Sequence, residues 1–343
     1  MSGRKRQLSE TKEDSPAPRK KGKQSKVPSV SAEKEWAETD ERLLDTTKLI
    51  MFATGDSNEP SETNARMLLA LMQQQVRMLM TAAQQTATND GRDSVTLRDL
   101  LVHFARHKLV LGRLLNHAKA ALVVTSLTRH TKDEEDDNEK EEDGVPYEGE
   151  SEEDDASSES ESSEEDSTPG AVAIKAPKNS ALAQLEEAVD SLDAGFTAAD
   201  LMDASFEDLT RQARDRRMAT RVRRLREDVY KEFAEARQAA FVSRQKRKMF
   251  KGQPESSLFI SWLGLPPLDS VLTYVISWLA KEIVTQVVDD AYMCLLKENT
   301  SGVNRGAAAS LLTAHHYEEA LRKNLGWRSR GDVLFGYIAP RED

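Results

Sequence analysis

Four histidines come closest, in residue type and spacing, to a catalytic or metal-binding motif. His103 and His107 stand one turn apart on a predicted helix, but Phe104 replaces the glutamate that a zinc hydrolase needs and the pattern lacks a third ligand. His315 and His316 are adjacent and would face different sides of a helix. Phosphate-binding glycine loops, nucleophile elbows and paired catalytic carboxylates are missing as well. The sequence therefore predicts a protein that is not an enzyme and uses no metal and no cofactor.

Arg92 and Asp99 have a spacing that favours an ion pair between a loop and a helix. They are seven residues apart, on either side of a predicted helix start. A planar guanidinium can bind a carboxylate through two parallel hydrogen bonds, which would fix the loop to the helix. The alternative is two unrelated surface charges, because exposed pairs are common and contribute little. We predict the pair, as a loop clasp.

The elements around this clasp form the first of two similar helical patterns. A short apolar helix stops at Gly55, and a long helix from Glu62 to Ala87 repeats apolar residues at three- and four-residue spacing. At 1.5 Å per residue it is about 40 Å long. Thr96, in a capping box with Asp99, opens a short helix after the loop. The long helix is apolar around most of its girth, which predicts burial against a partner as well as against its own short helices.

The same pattern recurs from about Leu258 to Leu325. A short apolar element ends at Gly264, a second long apolar helix follows, and a loop rich in glycine, asparagine and alanine precedes another short helix. The uncharged stretch over residues 270–280 is too short to cross a membrane. Cys294 lies on the apolar face, where a reduced structural thiol is expected. No aspartate takes the clasp position, and His316 stands near it.

A short helix, a long helix, a loop and a short helix are the outline of a histone fold, here found twice. We therefore predict an all-α protein in which two histone folds of one chain form an intramolecular histone-fold pair. Each copy alone would leave a broad apolar stripe in water, and such patches normally mark an interface. The long helices should cross at ten pairing residues, namely Leu68, Leu71, Met72, Gln75 and Leu79 on the first and Leu272, Val275, Leu279, Ile283 and Val287 on the second.

The net charge of −11 conceals a strong segregation of charge. Residues 133–166 hold 20 acidic residues and one lysine, so the rest of the chain has 47 basic and 39 acidic residues and a net charge of +8. This tract is rich in serine and nearly free of apolar residues, which predicts a disordered acidic linker. A solvated spacer is one interpretation of it. The other is a decoy that competes with DNA for a basic nucleic-acid-binding protein.

The amino-terminal region is predicted to be a disordered basic tail with a nuclear import signal. Two basic clusters, Arg4-Lys5-Arg6 and Arg19-Lys20-Lys21, are separated by twelve residues, which is the layout of a bipartite signal. No apolar segment follows the basic start, so a secretory leader is not expected. The predicted location is nuclear.

A basic helical connector precedes the second copy. Residues 211–251 contain fifteen arginines and lysines against five acids, and an apolar stripe runs beneath the charge through Val222, Leu225, Val229, Phe233, Ala236 and Ala240. The stripe predicts that the helix packs on another element. Its basic face could bind nucleic acid, receive the acidic tract or an acidic partner, or be ordinary solvated surface.

A resemblance to a known family begins at this connector. Arg237-Gln238-Ala239-Ala240-Phe241, continuing through Arg244, Lys246, Lys248 and Phe250, resembles the segment before the second histone fold of the Spt-three (suppressor of Ty three) family, the TBP-interacting subunit of the SAGA coactivator. Met51-Phe52-Ala53-Thr54-Gly55-Asp56 and Asp99-Leu100-Leu101 resemble its first fold. The similarity covers about residues 41–122 and 229–324. It implies a histone-fold pair, like that formed between two small TFIID subunits, which docks on SAGA core subunits and helps to deliver TBP. His316 departs from the clasp pattern of histones.

The resemblance implies a non-enzymatic, SAGA-type coactivator subunit that engages TBP and SAGA core subunits and regulates initiation by RNA polymerase II. Weak non-specific DNA contact is expected, but no membrane and no small-molecule substrate. The alternatives are a TFIID-type subunit and a DNA-binding histone-fold transcription factor, like the CCAAT-box factors, which would hold phosphates with the basic helix and the fold loops. The predicted regions are a tail (1–38), histone fold 1 (39–128), the acidic linker (129–180), the connector (181–256), histone fold 2 (257–330) and a C-terminal tail (331–343).

Overall fold

The protein is mostly helical. The computed structural model describes residues 30–138, 177, 180–203, 206–242, 249–250, 253–300 and 311–334. The predicted nuclear import signal, most of the acidic tract, and Arg244 and Lys248 of the connector motif lie outside the described residues. Within the described ranges the only strands are two of two residues each, in agreement with the predicted all-α class.

The first unit comprises α1 (Val30–Thr54), α2 (Glu62–Asn89), α3 (Leu97–Leu101), a 3₁₀ turn (Val102–Phe104) and α4 (Lys108–Asn138). Gly55 ends α1 with a φ of +153°, a conformation that favours glycine. A Cβ at this position would lie 3.1 Å from Cγ of Tyr292 on the second long helix (Ser270–Thr300), so the glycine also permits close approach of the two helices.

The middle of the chain forms α5 (Ala181–Asp190), α6 (Ala198–Met202), α7 (Leu209–Val222) and α8 (Glu227–Ala236). Helices α5 and α6 pack on α4, and α8 packs on α1. The predicted connector is therefore a set of packed helices. Its apolar stripe contacts α1: Phe233 and Ala236 are buried against Phe52, with Val222, Leu225 and Val229 beside them.

The second unit comprises α9 (Glu255–Trp262), α10 (Ser270–Thr300), α11 (Ala314–Lys323) and α12 (Leu325–Arg330), preceded by β1 (Met249–Phe250) and β2 (Gln253–Pro254). The strands are antiparallel, with Met249 opposite Pro254. Asp269 caps the N-terminus of α10, because its Oδ1 accepts hydrogen bonds from the backbone N–H groups of Val271 and Leu272, both at 2.8 Å.

Three predicted boundaries differ from the structure. Helix α1 starts at Val30, inside the tail predicted to be disordered, and α4 continues to Asn138, beyond the predicted start of the acidic linker at residue 129. Between Pro28 and Gly55, and again between Gly112 and Gly144, the sequence has no glycine or proline, so no residue in either span breaks the helix. The predicted C-terminal tail begins inside packed structure, because Val333 and Leu334 are buried.

One continuous hydrophobic core joins the two units. It is built mainly from α1, α2, α3, α4, α5, α9, α10 and α11. By length and composition, one helix among the described residues could cross a membrane, namely α10, but 78% of its apolar window is buried inside the fold. Such burial is expected of the central helix of a folded core.

Candidate functional site

The two long helices pack against each other at the centre of the molecule. All ten predicted pairing residues are buried, and the nine apolar ones belong to the core that joins the units. Helix α10 contacts both α1 and α2. The second long helix is thus buried between two helices of the first unit, which is why it is apolar on more than one face.

Gln75 has a different role from the other pairing residues, because its amide binds the backbone of the C-terminal segment (residues 331–334). Its Nε2 donates to the Gly331 carbonyl, and its Oε1 accepts from the Val333 N–H at 3.1 Å. Asn324 Nδ2 donates to the Val333 carbonyl at 3.2 Å. A buried amide is satisfied in this way, and the chain end of the second unit is fixed to α2.

The clasp residues Arg92 and Asp99 lie in direct contact. Arg92 donates from both Nη atoms to the two carboxylate oxygens of Asp99, each at 2.6 Å. Asp99 also accepts from the backbone N–H and hydroxyl of Thr96, at 2.8 and 2.7 Å. The Asp99 side chain is fully buried. Its bond to Arg92 holds the pKa of the Asp99 carboxyl well below its usual range.

His316 takes the corresponding place in the second unit. Its Nδ1 accepts a hydrogen bond from the Thr313 backbone N–H at 3.0 Å, as the Asp99 carboxylate does from Thr96. Its Nε2 lies 3.1 Å from Glu298 Oε2 at the end of α10. A neutral imidazole that carries its proton on Nε2 satisfies both contacts. In the second unit a histidine and a glutamate therefore join the start of α11 to the end of α10, where the first unit has an aspartate and an arginine.

A hydrogen bond ties the first loop of one unit to α11 of the other. The Tyr317 hydroxyl donates to Asp56 Oδ2 at 2.7 Å, and Tyr317 is completely buried. Burial is the main cause that raises the pKa of the Asp56 carboxyl, and it raises the pKa of the Tyr317 hydroxyl well above its usual value. Arg221 on α7 donates to the carbonyls of Phe52 and Asp56, so it also binds the end of α1 and the loop that follows it.

Part of the basic face of α7 is directed inward, onto carboxylates of α10. Arg217 donates to both oxygens of Asp289, at 2.6 and 2.7 Å, and Arg214 lies 3.4 Å from Glu282. Arg113 on α4 bridges Glu282 and Asp208, and it is only 10% exposed. Carboxylates seven residues apart on α10 thus meet arginines three apart on α7. This pairing could not be predicted from the sequence, because nothing in the spacing shows that the two helices are neighbours.

The described part of the connector motif contacts the second unit. Phe241 is buried and stacks on Phe259, with ring centroids 5.5 Å apart. Lys281 Nζ on α10 donates to the carbonyls of Arg237 and Ala239, at 3.2 and 2.7 Å. The Arg237 and Gln238 side chains are exposed, and the backbone of Phe250 forms part of β1. The motif therefore anchors the chain before α9.

The histidine pair singled out in the sequence is not on one helix. His103 lies in the 3₁₀ turn, and His107 precedes α4, because the helix breaks after Phe104. His103 Nε2 is 3.3 Å from the Thr86 hydroxyl. In the part of the chain that the structure describes, no cluster of three or more histidine, cysteine or acidic side chains could hold a metal ion. Cys294 is a buried thiol whose pKa is raised by burial.

Comparison with known protein families places the first unit beside a transcription factor. Residues 43–136 match the family model described as transcription initiation factor IID, 18 kD subunit. The matched residues run from α1 through α4, so they fall within the first unit. No match was found among the curated proteins or among the solved structures. The family match supports a histone-fold subunit of the transcription initiation machinery, a class that works in protein complexes in the nucleus.

Proposed function

We propose that the two units are two histone folds of one chain, and that their pairing builds a rigid platform for other transcription proteins. The observation that carries this proposal is the packing of α2 and α10 in one core, within units of the same plan. In each unit a glycine ends the first helix, a long helix follows, and a threonine three residues before Asp99 or His316 opens the next helix. The family match covers the first of the two.

The proposed activity is that of a non-enzymatic, nuclear coactivator subunit of the SAGA type, which engages TBP and SAGA core subunits. Support comes from the residues that resemble the Spt-three family and from the placement of their described part, including Phe241, against the second unit. A pair built within one chain needs no second histone-fold protein to cover its apolar helices. Its outer surfaces then remain for TBP and neighbouring subunits, and its role is to regulate initiation by RNA polymerase II.

A TFIID-type subunit is the nearest alternative, because the family model that matches the first unit is itself of a TFIID subunit. The DNA-binding alternative is less well supported. Arg214, Arg217 and Arg221 of the basic helix bind groups of α10 and α1, so these charges are already committed within the fold. Binding to phosphates would have to use the outward arginines of α7, such as Arg211 and Arg216.

Affinity purification of the full chain from nuclei tests the proposal, with the recovered subunits identified by mass spectrometry. SAGA core subunits are expected, and subunits found only in TFIID would replace this proposal with the alternative. Binding of purified TBP is then measured for the full chain and for a variant lacking residues 139–176. TBP binding that is tighter than any DNA binding by the variant is the expected result. DNA binding that weakens steeply with salt, together with no TBP binding, would favour the DNA-binding factor.

A further inference from the structure

The arginines in and beside α7 divide between two opposite faces of the helix. Residues 209–226 contain eight arginines, no lysine and one acidic residue. Arg214 and Arg217 bind carboxylates of α10, and Arg221 binds backbone carbonyls at the end of α1 and in the loop after it. These three are spaced by three and four residues, so they share the face that packs on the fold. They fix the orientation of the whole helix.

Three exposed arginines lie on the other side, and we call them the outward strip. Arg216 on α7 and Arg223 at its C-terminal cap are seven residues apart, which is about two helical turns. Arg224 follows in the turn after the helix. In the part of the chain that the structure describes, none of the three has a carboxylate within ion-pair distance. The outward strip is therefore a row of positive charges held in place by the inward arginines.

Asp215 and Asp228 flank the outward strip, and each has another arginine as its partner. Asp215 lies 3.9 Å from Arg211, and Asp228 accepts a hydrogen bond from Arg226 at 3.1 Å. These acids are therefore already engaged beside the strip. The positive charge of the strip is left for a partner from outside the fold.

We propose that the outward strip binds the phosphate backbone of duplex DNA without reading its base sequence. Arginine presents a planar fork of donors that fits a phosphate, and it stays charged at physiological pH. A duplex carries one negative charge about every 1.7 Å along its axis, so a rigid row of cations meets phosphates in any register. Single strands release fewer counterions for each contact and gain less from the same arginines.

The composition of the outward strip favours phosphates over an acidic protein as its partner. A protein interface usually has an apolar or aromatic centre with few charges. The exposed residues between the arginines, Ala219 and Thr220, are small. The nearest large apolar residues in the sequence that are exposed, Leu209 and Tyr230, lie beyond the two ends of the strip. Contacts to phosphate need no apolar centre, because arginine makes them through charge and hydrogen bonds.

The outward strip takes no part in the packing of the two long helices, so its DNA contact does not rest on the proposed function. Three phosphate contacts supply weak, non-specific binding, with a Kd on the order of 1–100 μM at physiological salt. Such a contact adds to the binding of protein partners and does not replace it. Recovery of partner subunits and binding of DNA are separate measurements, so either can fail alone.

Fluorescence anisotropy with a labelled DNA duplex of arbitrary sequence tests the proposal on the full chain, at several concentrations of KCl. The test variant is Arg216→Ala/Arg223→Ala/Arg224→Ala. Raising KCl roughly four-fold should weaken wild-type binding about 40-fold more than it weakens binding by the test variant, because three phosphate contacts are missing from the variant. A duplex of unrelated sequence should give the same values.

Two further variants serve as controls. Arg106→Ala/Lys119→Ala/Arg328→Ala removes three exposed charges elsewhere and should keep the salt dependence of the wild type. Replacement of the strip by lysine (Arg216→Lys/Arg223→Lys/Arg224→Lys) should keep it as well, because counterion release depends on charge.

Equal salt dependence in the wild type and the test variant would overturn the proposal, and so would an absence of DNA binding by the wild type. Polyglutamate is the competing probe, supplied at the same concentration of charge as the DNA. If polyglutamate binds more tightly than the duplex and loses this binding in the test variant, the outward strip belongs to an acidic protein segment, and the assignment to DNA is wrong.

Discussion

The Tyr317 hydroxyl donates a hydrogen bond to Asp56 Oδ2 at 2.7 Å, although 261 residues separate the two in sequence. Asp56 lies in the loop after α1, and Tyr317 lies on α11. This bond therefore joins the two units at a buried polar contact that admits few alternative arrangements.

Replacement of Tyr317 by phenylalanine removes the donor and leaves the Asp56 carboxylate less well satisfied. The free energy of unfolding should fall by about 1–3 kcal/mol near neutral pH, measured by urea denaturation. Burial raises the pKa of Asp56 in the folded state, so its protonated form favours folding, and that stability is lost as pH rises through the folded pKa. The cost of Tyr317→Phe should therefore grow from pH 4 to pH 7. Tyr230→Phe, at an exposed site, is the control, and an equal cost for both variants would contradict this role.

The Arg92–Asp99 clasp should contribute to stability in a pH-dependent way. Asp99→Asn removes the charge that both guanidinium bonds need and should cost about 1.5–3 kcal/mol at pH 7. The folded pKa of Asp99 is lowered, so the stabilisation is present above about pH 4, the ordinary range of aspartate, and is lost as pH falls towards the folded pKa. The free energies of unfolding of the wild type and of Asp99→Asn, measured with urea, should become equal in acid. Asp93→Asn, in the exposed loop, should change stability by less than about 0.5 kcal/mol.

The equivalence of His316 and Asp99 can be tested by a charge exchange in the second unit. His316→Asp alone would place a carboxylate beside Glu298, 3.1 Å away in the present pair, and should destabilise the protein. Adding Glu298→Arg recreates the arginine and aspartate of the first unit and should recover most of the loss. The free energy of unfolding is compared for the two single variants and the double variant. Additive losses, without recovery, would show that the two positions are not equivalent.

The contact between Arg217 and Asp289 should be one of the most sensitive ion pairs in the protein. Asp289 is 6% exposed, so Arg217→Ala leaves a buried carboxylate without this partner and should cost about 3–5 kcal/mol. Arg216→Ala, one residue away on the exposed face of α7, should cost less than about 0.5 kcal/mol. Thermal unfolding of the two variants gives the comparison. Equal losses of stability in the two variants would mean that the Arg217–Asp289 pair does not hold α7 against α10.

The helical class and the two long helices could be predicted from the sequence, because apolar residues at three- and four-residue spacing continue over most of α2 and α10. The ends were less predictable. Composition made residues 30–38 and 129–138 look like tails, although neither stretch contains a helix-breaking residue. Helix α5 lies at the start of the predicted helical connector, and its Leu182, Leu185 and Val189 have helical spacing and are buried in the structure.

The contacts between distant parts of the chain could not be predicted. The place of Gln75 on the apolar stripe predicts a pairing residue, but its hydrogen-bond partners are backbone groups of residues 331 and 333. The basic helix left three interpretations open, since charge composition does not tell which arginines face inward. Only the fold brings Arg217 to Asp289, 72 residues away. The spacing of residues along a sequence shows which side chains share one face of a single helix. It does not show which two helices pack together, and ion pairs between helices depend on that packing.

The central claim is that the long helices of the two units are each other's partners. It is tested most directly by inserting a specific protease site between residues 246 and 247, cleaving the folded full chain, and measuring the size of the products by light scattering in native buffer. The fragments should remain together in the wild type and in Leu209→Asp, an exposed control, and should separate in Leu279→Asp, at the buried centre of α10. Wild-type fragments that separate on cleavage, each folded and monomeric, would contradict the account.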